Sequence, residues 1–200
     1  MRIRGGLGRS TDDSSEVYMS EELIIDNCSP TLAGIKTGNL FSIRTTEDTD
    51  IYSEVRQLNH ELGNKGIRVI PLKRTDEYTL IYLYRPKHLK KDLRDPEALK
   101  ILNKRGYACD DPERCIVQLI GRLNENSDFP HEIGLFLGYP PSDVACFMEH
   151  PCEGVKYCGC WKAFSKPEKA EKTSDRFKRC TKAYQEMCRK GRSLKQLVVC

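Results

Sequence analysis

The chain has 200 residues, 38% hydrophobic and 31% charged, with a formal net charge of +4. This is ordinary globular composition: it excludes a collagenous or wholly disordered protein and is enough for one domain with a substantial core. The longest apolar runs, such as residues 80–84, are too short to cross a bilayer, and the N-terminus lacks the apolar stretch of a secretory signal.

The expected location is therefore the cytoplasm, with no membrane partner. In a reducing compartment the ten cysteines read as thiols, metal ligands or small buried hydrophobes rather than disulfides. Charge is unevenly spread. Residues 151–200 hold 13 Lys/Arg against 5 Asp/Glu, a net of +8, and the first 150 hold 20 against 24, a net of −4. A basic C-terminal quarter suits either a solvated helix face or contact with an acidic partner.

Residues 1–18 lack periodicity and are rich in Gly, Ser and charge, which predicts a disordered extension ahead of a domain over 19–200. Met19 followed by Ser20-Glu21-Glu22 looks like the natural start, with Ser20 capping a helix to about Asn27. Ser29-Pro30 reads as the entry of a second short helix ending near Gly38. A strand over 39–44 follows. Ile51, Val55, Leu58 and Leu62 then fall at helical spacing, and the glycines 63 and 66 stop that helix.

Residues 67–72 and 78–84 form a predicted hairpin. Pro71 suits an edge or bulged position, whereas 78–84 is apolar on both faces and should be central. Asp95-Pro96 and Asp111-Pro112 each open a helix. Residues 130–149 read as two short helices around a Gly-Tyr-Pro-Pro corner, with His131 and Glu132 in the first turn. Residues 156–164 resemble one more strand. Pro167 opens a long helix whose stripe runs Ala170, Phe177, Cys180, Tyr184, Met187 and Cys188. The expected architecture is α+β: one domain with a small mixed or antiparallel sheet of three to four strands and about six helices.

The corner has the spacing of a helix-turn-helix, but its second helix offers Ser142, Asp143, Ala145, Cys146 and Glu149 where a DNA reader needs Arg, Lys, Asn or Gln. Its carboxylates would repel phosphates, which argues against DNA. As a chemical site, His131 supplies a group that titrates near neutrality, and Glu132 complements a helix N-terminus. Cys28, placed just before a helix start, is the best nucleophile candidate, with Lys36 as an anion-binding residue nearby. A Cys28–His131–Glu132 thiol centre is thus one reading. The blander one is a buried cysteine and a capping pair.

Cys146, Cys152, Cys158 and Cys160 have the spacing C-x5-C-x5-C-x-C, which fits neither zinc knuckles nor iron–sulfur runs. A loop could still gather Cys158, Cys160 and Cys180, with His131, into a metal- or redox-responsive site. No cofactor is specified by the sequence. A small molecule and an acidic protein remain the candidate partners.

Five segments carry a resemblance. They are Cys28-x-Pro-Thr-Leu-Ala-Gly-Ile-Lys36-Thr-Gly-Asn-Leu-Phe41, Tyr82-Leu-Tyr-Arg85-Pro86, His131-Glu-Ile-Gly-x-Phe-Leu-Gly-Tyr-Pro140, Cys158-Gly-x-Trp161-Lys162 and Cys180-Thr181. Over about residues 19–199 the chain resembles a bacterial domain-of-unknown-function family, number 3793, typical of anaerobic Firmicutes. The resemblance implies that Cys28, Lys36, His131, Glu132, Trp161 and Cys180 belong to family motifs, and it implies no activity.

Overall fold

The computed structural model describes residues 19–44, 50–108, 111–125 and 128–200, so the predicted extension over 1–18 lies outside the described residues. Ser20 caps the first helix, α1 (Glu21–Leu32), as expected: its hydroxyl oxygen accepts from Leu23 N at 3.1 Å, and Glu21 and Glu22 lie in the first turn. The expected break at residues 27–29 does not occur. α1 runs through Pro30, because Ile24, Ile25, Cys28 and Leu32 form one continuous buried stripe. That burial outweighs the single backbone hydrogen bond that Pro30 cannot donate. Ser29 caps nothing; its hydroxyl donates to the Ile25 carbonyl within the same helix.

β1 (Gly38–Arg44) and α2 (Ile51–Leu62) follow, α2 being capped by Asp50, whose carboxylate accepts from Ser53 N at 3.1 Å. The hairpin strands are β2 (Arg68–Arg74) and β3 (Tyr78–Tyr84). The sheet is antiparallel with order β1-β3-β2. β3 is central, as its two apolar faces demand. Pro71 lies on an edge strand beside a register shift between Pro71 and Lys73, where its missing N–H disturbs no second ladder.

Five helices come next: α3 (Pro86–Asp92), α4 (Pro96–Lys104), α5 (Pro112–Glu125), α6 (Ile133–Phe136) and α7 (Pro141–Glu149). The single strand expected over 156–164 is instead a small hairpin of its own, β4 (Tyr157–Cys158) with β5 (Lys162–Ala163). The chain reverses over residues 159–161, where Gly159 N donates to the Trp161 carbonyl. α8 (Pro167–Arg189) and α9 (Leu194–Leu197) complete the fold.

Side chains alternate across a strand, and β3 uses both faces. Ile81 and Leu83 join one core with Phe41 and Val69 of the neighbouring strands and with Cys28, Leu32, Leu62, Tyr184 and Leu197 from α1, α2, α8 and α9. Leu80, Tyr82 and Tyr84 join a second core with Leu89, Leu102, Leu119, Phe136 and Val144, from α3 to α7. The protein is thus a three-layer α+β domain, with the sheet as its middle layer. Among the described residues no helix is long and apolar enough to cross a membrane.

Arg85 ties the layers together. Its Nε donates to Thr31 O at 2.7 Å, and its Nη2 donates to Leu32 O at 2.7 Å and Val199 O at 2.6 Å. The guanidinium thereby satisfies carbonyls at the C-terminal end of α1, where the helix dipole favours a cation.

Candidate functional site

The two-helix corner forms as expected, but His131 and Glu132 precede α6 rather than occupying its first turn. Glu132 points inward and is 1% exposed. It accepts from Tyr107 Oη at 3.1 Å and pairs with Arg122 Nη1 at 3.8 Å, while the Arg122 guanidinium lies 4.9 Å from the centre of the Tyr107 ring. Burial, with the charge and hydrogen bond of Glu132, pushes the Tyr107 phenol well up. This carboxylate holds α5 and the segment after α4 against the corner.

His131 packs edge-on against Phe147, ring centres 5.0 Å apart, and tilts against Phe129 at 6.1 Å. Its Nδ1 is buried without a hydrogen-bond partner, and burial pulls its pKa down, so the neutral imidazole is favoured.

Cys28 does not meet this pair. It is 0% exposed in the second half of α1 and belongs to the core on the Ile81/Leu83 face of the sheet. His131 and Glu132 belong to the corner packed on the opposite face. Because α1 continues through Pro30, no free helix N-terminus stabilises the Cys28 thiolate. Burial drives its pKa far up despite the nearby Lys36 charge.

The cysteines of the metal reading do not converge either. Cys158 and Cys160 are exposed in the β4–β5 hairpin, and Cys180 packs half-buried against the first core. Among the described residues, no group of three or more His, Cys, Asp or Glu side chains is placed to hold a metal.

What does converge is a different set of motif residues. Lys36 is buried; its Nζ donates to Gly38 O at 2.7 Å and lies 5.1 Å from the centre of the Tyr139 ring. Burial lowers the Lys36 pKa to about 8, against the opposing influence of Cys160 and Cys28. Tyr139 stacks on Trp161, ring centres 5.2 Å apart, and its hydroxyl donates to Cys160 O at 3.1 Å. Trp161 Nε1 donates to Asp143 Oδ2 at 2.9 Å.

Asp143 is 3% exposed, and its Oδ1 accepts from Phe164 N, Ser165 N and Ser165 Oγ at 3.0–3.1 Å. Burial alone would raise its pKa. The bonds from Trp161, Phe164 and Ser165 outweigh that and hold it below the ordinary carboxylate range.

Two glycines permit the contact between the Lys36 segment and the corner. Gly138 has φ +75°, and a Cβ there would stand 2.7 Å from Thr37 Oγ1. A Cβ at Gly38 would collide with the ring of Tyr82, whose hydroxyl donates to Phe136 O. Segments from four of the motifs, containing Lys36–Gly38, Tyr82, Phe136–Tyr139 and Cys160–Trp161, therefore meet at one place.

A cleft of ≈ 380 Å³ opens beside this junction. Tyr139, Pro140, Pro141 and Trp161 supply its apolar wall, and Ser142, Asp143, Ser165 and Thr173 line it with polar groups. Lys166 and Lys169 contribute from the start of α8, and Asp92 and Asp95 from the junction of α3 and α4. Both α7 and α8 begin here without a side-chain cap. Lys36, expected to bind an anion, lies one layer behind Tyr139 and is not among the lining residues.

In the sequence Tyr139 and Trp161 lie within motifs without an evident role, and Asp143 reads only as an obstacle to DNA. The fact that Trp161 is the sole tryptophan was the available signal, because a large aromatic beside a basic, cysteine-rich hairpin must find cover. No curated protein and no solved structure matches the chain. The model of the family described as protein of unknown function, DUF3793, matches residues 24–198, and the chain belongs to that family.

Proposed function

We propose that the protein binds a small molecule carrying a phosphate or carboxylate group in the cleft beside Tyr139 and Trp161. One observation carries this reading: segments with the family resemblance, far apart in sequence, meet where the cleft opens. Its volume falls within the usual range of small-molecule sites, and its lining combines aromatic and proline surface with a few polar groups. The anionic end sits by Lys166 and Lys169, where the uncapped first turns of α7 and α8 add favourable potential. Trp161 and Tyr139 cover the rest of the ligand, and Asp143 fixes the Trp161 ring. The role is recognition; no lining group forms a nucleophile–base pair.

Titration with inorganic phosphate, followed by the fluorescence of Trp161, tests the reading. Saturable quenching is expected in the wild type and should be lost in Lys166→Glu/Lys169→Glu, with sodium chloride of equal ionic strength as the control. A response that does not saturate, or that survives in the double variant, rules the reading out.

A further inference from the structure

The cleft is not uniformly basic. Lys166 and Lys169 face it from α8, while Asp92, at the end of α3, and Asp95, ahead of α4, face it from another wall. Among the described residues no ion pair joins the two walls; the pairs within 4.0 Å are Arg122–Glu132 and Lys178–Asp175. One oxygen of Asp92 accepts from Thr37 Oγ1, and Oδ1 of Asp95 accepts from Glu97 N at 2.9 Å. Neither bond neutralises a carboxylate. Opposite charges thus share one cleft without contacting each other, and the stacked rings of Tyr139 and Trp161 line the same cleft.

A purely anionic ligand would leave the acidic wall unpaired and repelled. A purely cationic one would do the same to the basic wall. We infer that the ligand is bipolar: a phosphate or carboxylate at Lys166 and Lys169, a primary or substituted amine at Asp92 and Asp95, and a short apolar span between. This deepens the small-molecule reading above and rests on it. The chemical class includes amino-alkyl phosphates and amino acids. The amine end donates charge-assisted hydrogen bonds to the two carboxylates.

The test compares three probes on the full chain by calorimetric titration: inorganic phosphate, ethanolamine and O-phosphoethanolamine. Phosphoethanolamine should bind about tenfold or more tighter than phosphate, corresponding to one well-placed charge pair. The variant Asp92→Asn/Asp95→Asn keeps one oxygen acceptor at each position for the Thr37 and Glu97 bonds, and asparagine caps a helix as well as aspartate. It should fold normally, bind phosphate at least as well as the wild type, and lose the preference for phosphoethanolamine. Equal binding of phosphate and phosphoethanolamine by the wild type would overturn the bipolar assignment alone, leaving the anion site in place. Absence of binding by both phosphates would overturn the underlying reading and this one with it.

Discussion

Trp161 is joined to Asp143 by a 2.9 Å hydrogen bond from Nε1 to Oδ2, while the other oxygen of the same carboxylate receives Phe164 N, Ser165 N and Ser165 Oγ. One buried acid on α7 therefore sets both the position of the aromatic wall and the path of the chain into α8.

Asp143→Ala should cost about 2–4 kcal/mol, because it strands several buried donors at once. The emission of Trp161, the only tryptophan, should shift to the red as its ring is released. The wild-type bond also has a pH signature. Because the Asp143 pKa is depressed in the fold, its stabilisation is present above the unfolded value of about 3.9 and is lost as pH falls through the lower folded value. Urea denaturation followed by fluorescence at pH 7 and pH 3 checks both effects.

Lys36 predicts the opposite edge of the pH range. Its folded pKa of about 8 lies below the ordinary lysine value of 10.5, so the unfolded chain holds more protons between those values and stability rises with pH. From pH 8 to pH 9 the gain should be about 1 kcal/mol. Cys28 works against it as pH rises through the ordinary thiol value of 9.0, because a thiol held protonated by burial favours the fold less as the unfolded thiol ionises. In Lys36→Met the rise between pH 8 and pH 9 should be absent in equilibrium denaturation. An unchanged slope would mean that Lys36 is protonated in the fold throughout this range.

The Glu132–Tyr107–Arg122 cluster should behave as a structural unit. Tyr107→Phe removes one hydrogen bond and should cost about 1 kcal/mol, whereas Glu132→Ala leaves the Tyr107 hydroxyl and the Arg122 charge without this acceptor and should cost about 2–4 kcal/mol. In the double variant the two losses should fall short of their sum, the mark of a shared contact. Phosphate binding in the cleft should be intact in Tyr107→Phe; its loss there would tie the two regions together functionally.

Thiol labelling separates the cysteines. Cys146, Cys152, Cys158, Cys160 and Cys200 are exposed and should react with a thiol reagent in the native state, whereas Cys28 and Cys115 should react only on unfolding. Mass mapping after a short pulse reads this out directly. Rapid native labelling of Cys28 would contradict its placement within α1.

Much of the sheet was legible because its signals are local. Residues 78–84 are apolar on both faces apart from Thr79, so β3 had to be central, and Pro71 had to lie where one ladder side is free. The continuity of α1 was hidden for the converse reason. Ser29-Pro30 is a strong local helix start, but the buried stripe that overrides it exists only once α8 and the sheet are in place. The same limit concealed the site. Glu132 finds Tyr107 25 residues earlier in the chain, and Asp143 finds Trp161 18 residues later. Neither partnership leaves a periodic trace, and a carboxylate read without its donors looks only like negative charge.

The Arg85 clasp bears on how the chain reaches its native state. The carbonyls of Thr31 and Leu32 receive a side chain that lies 54 and 53 residues further on, and the same guanidinium reaches Val199 another 114 residues later. Val199 N returns a bond to Leu32 O at 3.1 Å. Closing that seam joins very distant points on the chain, which carries a large loop-closure cost and places the event late in folding. On the ribosome, Arg85 is available to the Thr31 and Leu32 carbonyls long before the chain ends, whereas the second bond to Leu32 O, from Val199 N, must wait for residue 199 to emerge. Until then, a nascent chain that already has its sheet holds the end of the first helix at this seam through Arg85 alone, without the Val199 half of the clasp.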